Sequence, residues 1–225
     1  MSTSSIWILM IAVMVLSYIV QKTLTSRFDK YSDVPISLTG AEVAQRMLYS
    51  NGIHDVSIVS IDGTLTDHYN PQTKTVNLSK DVYYGKSVAA AAVAAHECGH
   101  VLQHANGYVP LRLRTALVPV VSFSSRIVQW VLLAGVLLID IFPSLLWIGI
   151  ALFAVTTLFS LITLPVEINA SSRAVAWLEE ASITNYETKP MTVDALKWAA
   201  YTYVIAAIGS LATLLYYLSF TQRRN

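Results

Sequence analysis

The chain has 225 residues, of which 54% are hydrophobic and only 13% are charged, and its mean hydropathy is +0.52. This composition is too apolar for an ordinary soluble domain and indicates a membrane protein. The net charge of +1 is uninformative about nucleic acid, and no basic stretch interleaved with aromatic residues suggests a nucleic-acid partner. The single cysteine, Cys98, excludes an intramolecular disulfide, and we expect it to be a small buried residue.

Four apolar segments have about the length that crosses the hydrocarbon core of a bilayer. The first has no positive charge before it and no small-residue cleavage site after it, so we interpret residues 1–25 as a retained transmembrane anchor. The second and third are predicted to form a transmembrane helical hairpin. The four segments run from Ile6 to about Leu24, from about Leu117 to Ile139, from about Leu145 to Leu164, and from Ala199 to Phe220.

The region between the first two apolar segments, residues 26–116, is more polar and is predicted to fold as a small α+β domain. Thr39-Gly40-Ala41-Glu42 has the pattern of a capping box and predicts a helix that Asn51-Gly52 ends. Alternating apolar residues between Val56 and Leu65, a polar turn, and the run Thr75–Leu78 predict a small antiparallel sheet.

An alanine-rich run then predicts a helix over about Ser87 to Asn106, and this helix carries the sequence His96-Glu97-Cys98-Gly99-His100. Histidines four residues apart lie on one face of a helix, so both imidazoles can reach one zinc ion. Glu97 can then accept a proton from the water that the metal activates and pass it to a leaving amine. H-E-x-x-H on a helix is the pattern of a zinc metalloprotease.

A zinc ion in such a site needs a third protein ligand, which the spacing alone does not identify. His104 is an unsuitable candidate, because it lies about 12 Å from His96 along a straight helix. Glu167 stands out, since an acidic residue just after an apolar segment is costly unless a partner stabilises it. An interfacial carboxylate held by Arg173 or by water is the alternative explanation. The remaining candidates are His54, His68, Asp62, Asp67, Asp81, Glu179 and Glu180.

Five blocks spread over nearly the whole chain carry a family resemblance. They are Leu65-Thr66-Asp67-His68-Tyr69, Ala94-Ala95-His96-Glu97-Cys98-Gly99-His100, Leu117-Val118-Pro119-Val120, Thr163-Leu164-Pro165-Val166-Glu167 and Thr202-Tyr203-Val204. These blocks resemble the YugP-like family of neutral zinc metallopeptidases of bacterial membranes. More distantly, the zinc helix followed by Glu-x-x-Ala looks like the arrangement of HtpX-like and CAAX-prenyl endopeptidases. The resemblance implies that His96, His100 and Glu167 bind one Zn²⁺ and that Glu97 is the catalytic base.

The chain departs from the more distant families at one position. They commonly carry an aspartate four residues after the ligand glutamate, where this chain has Ser171. Ser171 or Asn169 is expected to orient a zinc histidine without supplying a charge. Arg173 is a candidate for oxyanion stabilisation or contact with a substrate carboxylate, and a plain interfacial arginine is equally compatible with the sequence.

His68 and Tyr69 lie on the predicted hairpin. There they could line the cleft as an edge for an extended substrate peptide, or simply be a polar pair near a turn.

Orientation follows from the positive charges, which favour the cytoplasmic side. Lys and Arg are frequent after the first and third apolar segments, whereas the loop Asp140 to Ser144 has none. This places the H-E-x-x-H region in the cytoplasm. Arg223 and Arg224 disagree with this orientation if the last segment crosses fully, so that segment could be re-entrant, buried against the other segments, or an exception to the rule.

The sequence thus predicts a multi-pass α-helical membrane protein with a small α+β zincin-like metalloprotease domain. We expect a zinc endopeptidase at the cytoplasmic interface, acting on peptide segments that are membrane-associated or unfolded. The alternative is a non-catalytic, zinc-stabilised membrane scaffold or chaperone-like partner. The predicted parts are an anchor (1–25), a cytoplasmic zincin-like domain (26–116), a transmembrane hairpin (117–164), a segment with the third zinc ligand (165–198) and a C-terminal transmembrane or membrane-embedded helix (199–225).

Overall fold

The computed structural model describes residues 3–222. Arg223 and Arg224, whose charges bear on the orientation of the last segment, lie outside the described residues. The described chain consists of helices and three short strands in this order: α1 (Thr3–Ser32), α2 (Gly40–Ser50), β1 (Ser57–Ile61), β2 (His68–Asn70), β3 (Thr75–Ser79), α3 (Lys80–Tyr83), α4 (Val88–Ala105), α5 (Val109–Leu137), α6 (Pro143–Glu180) and α7 (Thr188–Gln222).

Four helices, α1, α5, α6 and α7, are long and apolar enough to cross a membrane. Each overlaps one of the four apolar segments identified in the sequence. The prediction of a mostly helical protein with four candidate spans is therefore confirmed. The qualifying stretches are Trp7–Ser32, Val109–Leu137, Pro143–Glu180 and Thr188–Thr221.

Helix α6 extends well beyond the predicted end of the third span at Leu164. A proline inside a helix removes one backbone hydrogen bond and crowds the carbonyl of the preceding turn, which favours a helix end. Here α6 continues through Pro165 to Glu180. Val166 and Ala170, just after the proline, are completely buried, and their packing compensates for the lost hydrogen bond. Residues 165–180 therefore continue the same helix.

The described chain forms two compact units. One contains the first part of α1, residues 110–165 and the last part of α7. Its core includes Val128, Leu132, Leu146 and Ile150. Large apolar side chains such as Trp130 lie on its surface, as expected of a surface that faces hydrocarbon.

The second unit comprises residues 20–109 and 166–201. Its helix α2 begins with the predicted capping box, in which Thr39 and Glu42 each bind the backbone N–H of the other. The helix ends at Asn51, and Gly52 follows with a φ of +71° that glycine adopts readily. Both predicted boundaries of α2 are confirmed.

The three strands form one sheet with the order β1-β3-β2. The central strand β3 is antiparallel to β2 but parallel to β1, so the predicted all-antiparallel sheet is wrong in this respect. The Asp67 carboxylate accepts hydrogen bonds from the backbone N–H and the hydroxyl of Ser79, at 2.7 and 3.1 Å. These bonds hold the start of β2 beside the end of β3 and leave the opposite edge of β3 to β1. As a result, β2 is an edge strand.

Helix α4 matches the predicted range, with Ser87 capping its N-terminus through a hydrogen bond from the Ala90 N–H and Asn106 at its C-cap. Six of its seven alanines are buried, and five of these six pack in one core with the apolar face of α2. Small side chains let neighbouring backbones approach this helix closely. The H-E-x-x-H segment of α4 therefore lies in a largely buried helix.

Candidate metal centre

The structure brings together three potential metal ligands from two helices. His96 and His100 project from α4 and Glu167 from α6, and one ligand atom from each lies within 4.8 Å of the others. Glu167 Oε2 lies 3.2 Å from His96 Nε2 and 3.6 Å from His100 Nε2. The two imidazole rings are nearly perpendicular, with 4.8 Å between their centroids. One cation between the three side chains could contact all of them.

This convergence depends on a close approach of α4 to α6. A Cβ atom at Gly99 would lie 2.6 Å from the carbonyl oxygen of Ala170 and 3.0 Å from its Cα. Real Cβ atoms do not approach backbone atoms so closely, so only glycine fits at position 99. Since Gly99 lies between the two histidines and Ala170 is one turn after Glu167, this contact sets the spacing of the ligands.

Glu97 lies beside the three ligands and is buried. Its Oε2 accepts a hydrogen bond of 3.0 Å from the backbone N–H of Tyr69 on the edge strand β2. The Tyr69 hydroxyl also lies 2.9 Å from His104 Nδ1. His104 contacts the edge strand and is not part of the three-ligand group, in agreement with the helix spacing. The edge strand thus contacts α4 at two points two turns apart.

The ring nitrogens that face away from Glu167 have partners as well. His96 Nδ1 lies 3.0 Å from the hydroxyl oxygen of Ser171, the position where the more distant families carry aspartate. His100 Nδ1 lies 3.0 Å from Oε1 of Gln103. Ser171 is one of the two residues expected from the sequence to orient a zinc histidine, whereas Gln103 was not predicted. Gln103 could have been found from its position three residues after His100, because this spacing places both side chains on one helix face.

The donor set fits zinc. Imidazole nitrogens and carboxylate oxygens are common zinc ligands, and three protein ligands are typical of catalytic sites, whereas structural sites usually have four. Within the described residues, the group that could hold a metal has three members. Glu167 is only 2% exposed, and a carboxylate buried to this extent requires a nearby positive charge. A divalent cation among the three side chains would supply that charge.

The electrostatics of His100 agree with this interpretation. Burial alone would lower the pKa of its imidazole, because it disfavours the charged form. The interaction with Glu167 and the negative charge of Glu97 outweigh burial, and the pKa of His100 is raised overall. The same negative potential favours a cation at the site.

The other residues singled out in the sequence lie in different surroundings. Arg173 is half-buried and donates a hydrogen bond of 2.8 Å from Nε to Oδ1 of Asn169. His68 is exposed on β2, where its Nδ1 lies 2.8 Å from the Thr66 carbonyl and its Nε2 lies 3.3 Å from Nδ2 of Asn77. Cys98 is completely buried, and burial raises the pKa of its thiol. The expectation of a small buried cysteine is confirmed.

Comparison with known proteins agrees with the resemblance seen in the sequence. A family described as "Putative neutral zinc metallopeptidase" matches residues 6–222. A Bacillus subtilis (strain 168) protein named "Putative membrane protease YugP" is 47% identical over 210 residues, which cover 92% of this chain and 92% of the relative. No solved structure matches the chain. Because the family match extends over nearly the whole length, the chain belongs to this family of neutral zinc metallopeptidases.

Proposed function

We propose that this protein is a multi-pass membrane endopeptidase that hydrolyses peptide bonds with one zinc ion per chain. The convergence of His96, His100 and Glu167 beside the buried Glu97 carries the proposal. These three side chains would hold the ion, and the second compact unit would act as a small zincin-like domain. When bound, zinc supplies Lewis-acid activation of a water molecule and of the substrate carbonyl.

Glu97 is the general base in this proposal. The Tyr69 N–H engages Oε2 and orients the carboxylate, so Oε1 can take up a proton from the attacking water. Glu97 then gives this proton to the nitrogen of the leaving amine. A carboxylate in hydrogen-bond reach of both water and amine can perform both transfers without a covalent intermediate.

The edge strand β2 is a suitable binding surface for an extended peptide. An edge strand can pair with an added strand through its outward backbone groups, and β2 lies against the helix that carries Glu97. The Tyr69 N–H is already bonded to Glu97, so the peptide would pair with the other outward groups of β2. His68 on this strand is a candidate for contact with the substrate. Arg173 is a candidate for stabilising the oxyanion or binding a substrate carboxylate, since its guanidinium is half-buried on the helix of Glu167.

We further propose that the site opens at the cytoplasmic side of the cell membrane. Lys and Arg are frequent in the region between α1 and α5 and absent from the loop between α5 and α6, the asymmetry expected if the former is cytoplasmic. Substrates would be segments of membrane-associated or unfolded proteins that reach this surface. The lipid bilayer is then a partner of the four long helices.

A non-catalytic membrane scaffold with structural zinc is the alternative. A scaffold does not need a carboxylate held next to the metal ligands, yet Glu97 is such a carboxylate. Structural zinc sites also tend to be closed by four protein ligands, whereas the group in the described chain has three. Both observations favour the enzyme.

Cleavage of an unfolded protein substrate by detergent-purified wild type and Glu97→Gln, with bound zinc quantified, tests the proposal. We expect wild type to cleave, and Glu97→Gln to keep its zinc but lose nearly all activity. Glu180→Gln, which neutralises an exposed carboxylate, is the matched control and should behave as wild type. Full activity in Glu97→Gln would exclude Glu97 as the base. Zinc binding by wild type without cleavage of any unfolded or membrane-associated substrate would favour the scaffold.

His96→Ala and Glu167→Ala test the ligand assignment. Each should lower the zinc content of the purified protein, because two remaining ligands hold the ion poorly. Unchanged stoichiometry in either variant would remove that residue from the ligand set.

A further inference from the structure

We infer that Gln103 is a positioning residue for the metal centre, which orients His100 and ties it to the helix of Glu167. This inference rests on the proposed zinc site. Gln103 is completely buried, and its amide makes three hydrogen bonds. Oε1 lies 3.0 Å from His100 Nδ1, while Nε2 donates to the Val166 carbonyl at 2.8 Å and to Asn169 Oδ1 at 3.0 Å.

The chemistry of the partners fixes which way the Gln103 amide faces. A backbone carbonyl only accepts hydrogen bonds, so the NH₂ group must face Val166. A second, independent partner gives the same result. The Arg173 guanidinium only donates, so the Asn169 atom that it contacts is the carbonyl oxygen, and this oxygen again requires a donor from Gln103. Oε1 of Gln103 must therefore face His100.

The orientation of the amide in turn determines the tautomer of His100. Because Oε1 accepts, His100 Nδ1 must carry the hydrogen that it donates. The lone pair of a neutral imidazole then lies on Nε2, the atom that faces Glu167 and would bind the metal. Partners that fix the tautomer of a metal-binding histidine typically change metal affinity or activity by about 10- to 100-fold when removed.

Gln103 also connects the two helices that supply the ligands. Its partner Val166 directly precedes Glu167 in α6, whereas His100 lies one turn before Gln103 in α4. The Gln103 side chain thus orients the ring of His100 and holds the backbone next to Glu167. Ser171 does less for His96, because a hydroxyl can either donate or accept and does not by itself select a tautomer.

Two substitutions distinguish a positioning role of Gln103 from a role that only fills space in the core. Gln103→Met preserves the length of the side chain but removes all three hydrogen bonds. Gln103→Glu keeps an oxygen that can accept from His100 and loses the two donors. Thr192→Val is the control, because it removes a buried hydroxyl that bonds within α7 at the Thr188 carbonyl and touches none of this network.

The zinc affinity of detergent-purified full-length protein, measured by competition with a chelator, is the main readout. The visible spectrum of the Co²⁺-substituted protein reports the geometry at the metal. We expect Gln103→Met to lose about 10- to 100-fold in zinc affinity with an altered cobalt spectrum. Gln103→Glu should retain more affinity than Gln103→Met, and Thr192→Val should match wild type.

Wild-type zinc affinity and an unchanged cobalt spectrum in folded Gln103→Met would overturn the inference while leaving the proposed function intact. If Gln103→Met does not fold, Asn169→Ala provides the test, since it removes one acceptor, shared by Gln103 and Arg173, at a half-buried position. It should weaken zinc binding by less than tenfold, and an unchanged affinity and spectrum would overturn the inference. Zinc retained in His96→Ala would instead overturn the proposed site, and this inference with it.

Discussion

Helices α4 and α5 follow each other in the chain and are both mostly apolar, yet their surroundings are opposite. Of the 18 residues of α4, 14 are buried, whereas only four of the 29 residues of α5 are buried. The side chains explain the difference. Seven of the 18 residues of α4 are alanines, whose small side chains fit between neighbouring protein segments, while α5 carries exposed Leu, Val, Phe and Trp side chains. Apolar composition alone therefore does not tell a protein-surrounded helix from one with an exposed apolar surface.

This difference matters for where a reactive site can be built. Metal-binding side chains are oriented by partners at their remaining polar atoms, and protein segments that surround a helix supply fixed partners of this kind. Helix α4 carries the two candidate ligands and Glu97; Glu97 and His100 are buried and His96 is partly buried. Most of α5 is exposed, so it offers few positions with such surroundings.

Both α4 and α5 pack closely against α6 at a glycine, Gly99 in α4 and Gly135 in α5. Replacing each glycine with alanine gives the strongest test of the different roles of the two helices. A Cβ at Gly99 would clash with the Ala170 backbone, and one at Gly135 would lie 2.7 Å from the Cα of Leu146. We expect Gly99→Ala to lower the zinc content of the purified protein close to zero, because α4 and α6 must separate. Overpacking should also cost about 1–3 kcal/mol of stability.

Gly135→Ala is the matched control, with a similar clash away from the ligands. It should lower the melting temperature in detergent by a comparable amount while the zinc content stays at one per chain. Loss of zinc in both variants would show that the metal centre depends on general stability. Full zinc in Gly99→Ala would show that the close approach is not needed.

A second test exchanges side-chain sizes between the two helices. Ala94 of α4 is completely buried, and Ala94→Leu should destabilise the protein by about 1–3 kcal/mol through overpacking. Leu133 of α5 is 51% exposed, and Leu133→Ala should change stability by no more than roughly 0.5 kcal/mol. Thermal unfolding of both variants in the same detergent measures the contrast. Equal losses would mean that α5 is as tightly surrounded as α4.

The smallest expected effect concerns the partner of His96. Ser171→Ala removes the hydroxyl beside Nδ1 and should weaken zinc binding by about tenfold, the lower end of the usual range, because a neutral hydroxyl is a weaker partner than a carboxylate. Ser172→Ala is the matched control, since the Ser172 hydroxyl is exposed and donates to the Ile168 carbonyl of its own helix. Chelator competition compares the two. Equal affinities would exclude a role for Ser171 at the metal.

Local features of the structure could be predicted because local contacts determine them. The capping box at Thr39 and Glu42 and the Ser87 cap of α4 involve residues within a few positions of one another. The spacing of His96 and His100 likewise follows from one turn of helix. The contact between His100 and Glu167 spans 67 positions and leaves no periodic signal in the sequence. Glu167 could therefore be singled out only by its position just after an apolar segment and by family resemblance.

What could not be predicted depends on contacts between distant segments. Gln103 acquires its role only when α6 approaches α4 closely enough for Val166 and Asn169 to receive its hydrogen bonds. The parallel pairing of β1 with β3 follows from strand order, which the alternation of side chains does not encode. Helix α6 continues through Pro165 although proline locally favours a helix end, because tertiary packing outweighs this preference.

The buried thiol of Cys98 has a practical consequence for studying this protein in solution. Its Sγ lies 3.7 Å from the Ala44 carbonyl of α2, inside the core that α2 and α4 share, and Cys98 is the chain's one cysteine. A thiol reagent can therefore react only when these two helices part. The rate of alkylation in native conditions would measure how often the scaffold beneath the metal ligands opens, without any engineered probe.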